Sequence, residues 1–194
     1  MNYMLAALAI LSTLALPAHA YTELPPPTNI APDMSGAHAF DFIAGDWRTH
    51  HKKLKERLAG SHDWIEFDGT QKAWLLMNGT ANTDDNVFNI PGGGYSGVTV
   101  RAYDPKTGEW RIWWLDGRYP SGAMDPPMVG RFVNGIGTFY ADDTFKGKPV
   151  KVRFIWHNLS HDRSHWEQAF STDEGKTWET NWTIDSTRVG GPAL

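Results

Sequence analysis

Phe40-Asp41-Phe42-Ile43-Ala44-Gly45-Asp46-Trp47 is the stretch on which the reading of this chain turns. A glycine stands two residues ahead of a tryptophan, at the head of the first long segment. The polar run from Arg48 to Arg57 follows, and it has two readings. Lys52 to Gly60 has good helix propensity with a glycine stop. Read instead as a strand from Asp46 to Leu58, the same residues put Trp47, Thr49, His51, Lys53, Lys55 and Arg57 on one face.

Outward from this point the chain reads as short strands and turns. Trp64 to Met77 predicts a strand bent or broken near Asp68-Gly69, with Asn78-Gly79 as a hairpin signal and Thr80 to Ile90 as a weaker return. Tyr95, Gly97, Thr99, Arg101 and Tyr103 alternate with Ser96, Val98, Val100 and Ala102, and the turn Asp104 to Gly108 leads into Glu109 to Leu115. Val129 to Val133 and Thr138 to Asp142 flank Asn134-Gly135-Ile136-Gly137. Val150 to Leu159 and Ser164 to Ser171 surround a turn centred on His161, which sets Trp156 opposite Trp166 and His157 opposite His165. The last strand, Trp178 to Arg188, carries Trp178, Thr180, Trp182, Ile184, Ser186 and Arg188 on one face. Nine or ten strands, no strong amphipathic helix and no parallel βαβ signature predict an all-β chain, a single antiparallel up-and-down barrel. The Gly- and Pro-rich segment Asp116 to Met128 is then a long loop over its mouth, with Arg118, Tyr119 and Asp125 read either as ligand contacts or as solvated loop residues.

Gly45-x-Trp47 at the front and Arg188 near the end of the last strand resemble the floor of the calycins, the lipocalin and fatty-acid-binding-protein group. The longer pattern, FDFIAGDWR early and WEQAFSTDEGKTWETNW late, also resembles an uncharacterised family of bacterial lipocalin-like proteins. The resemblance implies that Gly45 admits the chain to the barrel, that Trp47 closes its floor and that Arg188 packs across the indole. It selects the strand reading for the first segment, and with Trp47 inward it turns His51 and Lys53 toward a polar lumen.

Met1 to Ala20 reads as a secretory signal peptide, with an apolar run from Leu5 to Leu16 and a small-x-small site at Ala18-His19-Ala20. Residues 21–37, with Pro25-Pro26-Pro27, form a Pro-rich extended leader, and residues 38–194 form the barrel domain. An exported protein, periplasmic or secreted, is the expectation. The apolar run is too short for a membrane span. The chain has no cysteine, so packing and the sheet alone must hold it. Its net charge of −4 offers no basic surface for nucleic acid. Ten tryptophans either pack a core or line a ligand cavity.

Several motifs point elsewhere and fail. Ser171-Thr172-Asp173-Glu174-Gly175-Lys176-Thr177-Trp178 matches the Asp box of sialidase propellers, but one copy makes a hairpin and not a propeller. Pro91-Gly92-Gly93-Gly94 lacks the Lys-Ser/Thr and the helix of a phosphate loop. His157 and His165 have no clear third partner for a metal, and His50-His51 lies too early to resemble the heme-binding barrels. No cofactor and no metal are therefore expected.

What remains is a small-molecule site whose candidates are His51, Lys53, Glu66, Trp114, Trp156, Glu167 and Trp182. The leading reading is reversible binding of a small, partly apolar molecule with an anionic group, since Lys and Arg are the usual partners of carboxylates. A cofactor-free proton-transfer enzyme of isomerase or cyclase type is the second reading, and it needs His51 or Glu167 inward beside another titratable group. A ligand-free structural or interaction barrel, its interior filled by tryptophan, is the third. The ligand, the oligomeric state and any partner protein are not legible in the sequence.

Overall fold

The computed structural model describes residues 33–191, so the expected signal peptide and the first part of the leader lie outside the described residues. Ten antiparallel strands follow one another: β1 (Gly45–Leu54), β2 (Trp64–Leu76), β3 (Ala81–Phe88), β4 (Tyr95–Asp104), β5 (Glu109–Asp116), β6 (Met128–Val133), β7 (Ile136–Phe145), β8 (Lys148–Ser160), β9 (Arg163–Ser171) and β10 (Glu179–Gly190). Each pairs with its neighbour in sequence, and β10 returns to β1 to close the barrel. Closure gives every strand a neighbour on both sides, although β5 meets β6 only from Trp110 to Ile112, and this suits a chain without disulfides. The fold is a lipocalin-like up-and-down barrel.

The first segment is a strand through Leu54, and the helical reading of Lys52 to Gly60 fails because both neighbouring strands claim its backbone. His51 faces Phe67 on β2 and Ile184 on β10. Regular pairing ends at Leu54, so Lys55 turns outward and is exposed, while Arg57 folds back over the interior. β2 runs unbroken through Asp68-Gly69. Trp156 does face Trp166, and His157 faces His165.

One end of the barrel is packed solid. A 3-10 turn at Asp41–Ile43 precedes β1 and presents Phe40, whose ring lies 5.0 Å from Trp110, 4.8 Å from Phe132 and 5.4 Å from Trp156. Phe139, Val150, Val152 and Phe170 continue this cluster. The backbone before the turn is tied down as well: the Trp110 indole donates to the Gly36 carbonyl at 2.9 Å and the Tyr103 hydroxyl to the Asp33 carbonyl at 2.7 Å. Residues 33–37 of the Pro-rich leader thus pack onto the barrel.

Candidate functional site

The floor comes first. Gly45 has φ of 124°, a left-handed region open mainly to glycine, and a Cβ there would fall on the Arg188 guanidinium. Trp47 is buried and its indole donates to the Ile43 carbonyl at 2.7 Å. Arg188 lies over that indole with Cζ 4.2 Å from the ring centroid. Its other nitrogens donate to the carbonyls of Ala44, Phe42 and His161. One guanidinium therefore joins the pre-β1 turn, the first strand and the β8–β9 turn.

Above the floor the barrel is hollow. A cavity of about 440 Å³ is lined by Trp114, Trp156, Trp166 and Trp182, with Phe88, Met128 and Phe154 among the apolar groups. That volume suits a compact ligand. The polar groups fall in three sets.

The first set is centred on His51, which is almost completely buried and stacks on Phe67 with ring centroids 4.7 Å apart. The Trp182 indole, a donor only, points at His51 Nδ1 at 3.2 Å. That assigns the lone pair to Nδ1 and the proton to Nε2, which donates to Thr49 Oγ1 at 2.8 Å. Gly69 makes room: a Cβ there would collide with the Val87 carbonyl and crowd Thr49 and His51. Burial drives the imidazole's pKa down to about 3, with the neighbouring His50 and Lys53 charges adding to it. His51 is therefore neutral, with both nitrogens engaged.

The second set holds a buried charge pair. Arg101 Nη1 meets Asp84 Oδ2 at 2.6 Å and the Asn82 amide oxygen at 2.9 Å. Gln71 and Asn86 also donate to Asp84. Arg101 sits between the packed end and the cavity, near the rings of Phe40 and Trp156. Its Nε, the Asn82 amide nitrogen and the Trp166 indole nitrogen are buried without a protein partner. Of these three residues Arg101 and Trp166 line the cavity, where a ligand acceptor can meet an unpaired donor.

The third set is at the mouth. Lys53 places Nζ 3.7 Å from the centroid of the Trp182 ring and makes no hydrogen bond or ion pair among the described residues. Burial lowers its pKa to about 8, assisted by the Arg57 and Arg118 charges and opposed by Asp116. Arg57 caps the rings of Phe145 and Phe170 and likewise lacks a carboxylate partner among the described residues. Arg118, by contrast, is held by both oxygens of Asp116 at 2.9 and 2.6 Å, and this bond holds the Asp116 carboxyl down to about 2. Asp125, Asp142 and Asp143 also line the rim, exposed to solvent, and Asp142 is bound by Lys151.

Two of the expected ligand residues stand on the wrong side. Glu66 is paired across from Lys52 on the outer face, where it meets Lys52 at 3.1 Å and His50 at 3.2 Å. Glu167 also faces outward, 3.3 Å from His165, which in turn meets Asp185 at 2.7 Å. The period of two decides both: Phe67, next to Glu66, is buried on the inner face, and Trp166 and Gln168, on either side of Glu167, line the lumen. Thr180 is a further correction. A bulge between Thr180 and Trp182 shifts the alternation, so Asn181 is buried and accepts from Gln168 at 2.8 Å while Thr180 lies in an outer groove.

His51, Lys53, Trp114, Trp156 and Trp182 all line the lumen, as do Arg118 and Asp125; Tyr119 is exposed. The Asp84–Arg101 pair was not anticipated. Its one signal was the β4 alternation, which puts Arg101 on the face of Thr99 and Tyr103. Ser171 to Trp178 forms the expected turn: Asp173 accepts from the Thr177 backbone at 2.9 Å, and the Trp178 indole donates to the Gly175 carbonyl at 3.0 Å. No group of three or more His, Asp or Glu among the described residues is arranged to hold a metal.

No family model matches the sequence, and no curated protein does so significantly. Among solved structures the chain is similar to the S-type phycobiliprotein lyase CPES from Guillardia theta, at a TM-score of 0.51 and 11% identity, over 79% of this chain and 92% of that one. A protein of unknown function from the DUF3598 family of Nostoc punctiforme aligns over 79% of this chain and 99% of its own at 9% identity, with a TM-score of 0.26. The first likeness is one of fold.

Proposed function

We propose that this barrel reversibly binds a small, partly apolar molecule whose anionic group sits at the mouth beside Lys53 and Arg57. The observation that carries the reading is the combination of a hollow, tryptophan-lined lumen with two partly buried cations that lack carboxylate partners among the described residues. A desolvated, unpaired cation is costly, and an anion entering beside it recovers that cost. The phycobiliprotein-lyase neighbour supports a functional use of this barrel architecture by fold analogy alone. Export to the periplasm or beyond, and membership of the secreted lipocalin-like family, are part of the same proposal and rest on the apolar N-terminal run and on the FDFIAGDWR pattern.

Of the two groups the proton-transfer reading names, Glu167 is outside, and His51, though inward and near Lys53, has its one lone pair engaged by the Trp182 indole. A packed, ligand-free interior is at odds with the cavity.

Native mass spectrometry of protein purified from its own host, followed by tryptophan fluorescence titration, tests the proposal. A co-purified acid that quenches the tryptophans and is lost in Lys53→Met or Arg57→Met is the expected result. Protein that emerges empty and ignores a panel of apolar acids overturns it.

A further inference from the structure

We infer that Lys53 is a carbonyl-capturing amine, condensing reversibly with an aldehyde or ketone carried by the anionic ligand to form an imine within the lumen. The inference rests on the binding reading above and narrows its ligand class. It begins with the lysine's surroundings. Nζ projects from β1 into the cavity and lies against the Trp182 face, 3.7 Å from the centroid. The indole cannot swing away, because its N–H is engaged by His51, itself fixed by Thr49 and Phe67. The amine is therefore held in place by a ring that accepts no proton from it, and no carboxylate among the described residues is bonded to it.

The charged groups facing Lys53 are Arg57 from the end of its own strand, and Arg118 and Asp116 from β5 and the loop that follows. Asp116 is occupied by Arg118, and the other charges acting on the amine, Arg57 and Arg118, are positive. A lysine desolvated among apolar groups and next to other cations gives up its proton readily and becomes a nucleophile; the lowered pKa of about 8 agrees with that geometry. Lys52 and Lys55, its neighbours in sequence, are exposed, and Lys52 is paired with Glu66. They provide an internal comparison.

The reaction balances without a co-reactant. The neutral amine attacks the carbonyl carbon and the carbonyl π electrons move to oxygen. Two protons pass from nitrogen to that oxygen, the C–O bond breaks and one water leaves, giving C=N. Protonated, the imine keeps a positive charge at the mouth, and Arg57 remains free to hold the ligand's anionic group. Hydrolysis reverses each step.

The test uses 4-carboxycinnamaldehyde as an apolar aldehyde with a carboxylate, and 4-carboxycinnamyl alcohol as its non-condensing counterpart. The full chain is incubated with the aldehyde and cyanoborohydride at neutral pH, digested and mapped by mass spectrometry, while tryptophan quenching reports occupancy separately. The expected outcome is reductive alkylation of Lys53 at least tenfold above Lys52 and Lys55, with Lys53→Arg still quenched by the alcohol but no longer labelled in the lumen. Quenching by both compounds with Lys53 unlabelled, or labelled no more than the exposed lysines, overturns the inference and leaves the binding proposal standing. Neither quenching nor labelling of Lys53 by the aldehyde overturns the inference and counts against the binding reading too.

Discussion

Arg188 covers Trp47 at the barrel floor, its guanidinium carbon 4.2 Å from the indole centroid, although the two residues stand at opposite ends of the domain. The contact closes the seam between the first and last strands. Arg188→Ala removes a cation–π contact and several charge-assisted hydrogen bonds, and is expected to cost about 2–4 kcal/mol. Arg188→Lys recovers little, since an ammonium cannot reach three carbonyls in a plane. Gly45→Ala strains a left-handed position and displaces the same guanidinium, at about 1–3 kcal/mol or more. Urea unfolding midpoints check all three; an unchanged midpoint for Arg188→Ala would show that the floor contributes nothing to stability.

Asp84 and Arg101 form a buried pair, and removing one member strands the other. Arg101→Met alone is expected to destabilise by about 3–5 kcal/mol. The double variant Arg101→Met, Asp84→Leu restores a substantial part of that loss, because no charge remains unpaired. A double-mutant cycle in urea measures the coupling, and additive single effects would refute it.

Neutral His51 makes stability depend on pH. In the unfolded chain this imidazole takes a proton below about pH 6.5, while in the barrel it refuses one until about pH 3. The unfolded state therefore binds more protons across that window, and stability falls as pH drops through it, by at most about 1.4 kcal/mol per pH unit from this residue. His51→Phe is less stable at pH 7, having lost the Trp182 bond, yet its stability declines less steeply between pH 6.5 and 4. Parallel curves for the two proteins would remove His51 from the account.

Lys53 acts against stability in the empty barrel. Below about pH 8 the folded chain must hold a partly buried ammonium, and this cost fades as pH rises from there toward the ordinary lysine range. Lys53→Met is expected to raise stability at pH 7 by about 1–2 kcal/mol while weakening the binding of apolar acids, a trade common at binding sites. The stability gain should shrink above pH 8. Thermal and urea unfolding at pH 7 and pH 10 check it, and a variant less stable at pH 7 contradicts the assignment.

Strand after strand could be placed from local chemistry, because every turn but the one at His161-Asp162 carries Gly, Asn or Pro and the strands between them alternate with a period of two. Gly45, Trp47 and Arg188 were identifiable through their resemblance to a floor that recurs with that spacing. Centring the β8–β9 hairpin on His161 gave the pairs Trp156–Trp166 and His157–His165, although a bulge between Asn158 and Ser160 stands between the turn and those pairs. Once Trp47 is inward, His51 and Lys53 must be inward too.

Other features depended on pairings that no single strand contains. Glu66 and Glu167 carry suitable chemistry, but only the partner strands decide which face of β2 and β9 meets the lumen. β3 is polar on both faces, so its alternation has no sign, and Asp84 became an interior residue only when β4 brought Arg101 against it. The bulge at Asn181 inverts a periodicity that the local sequence gives no reason to interrupt. Local pattern thus determined which segments are strands and how they turn. Closure of the barrel decided which side chains share its interior, because burial and charge pairing are properties of several strands together.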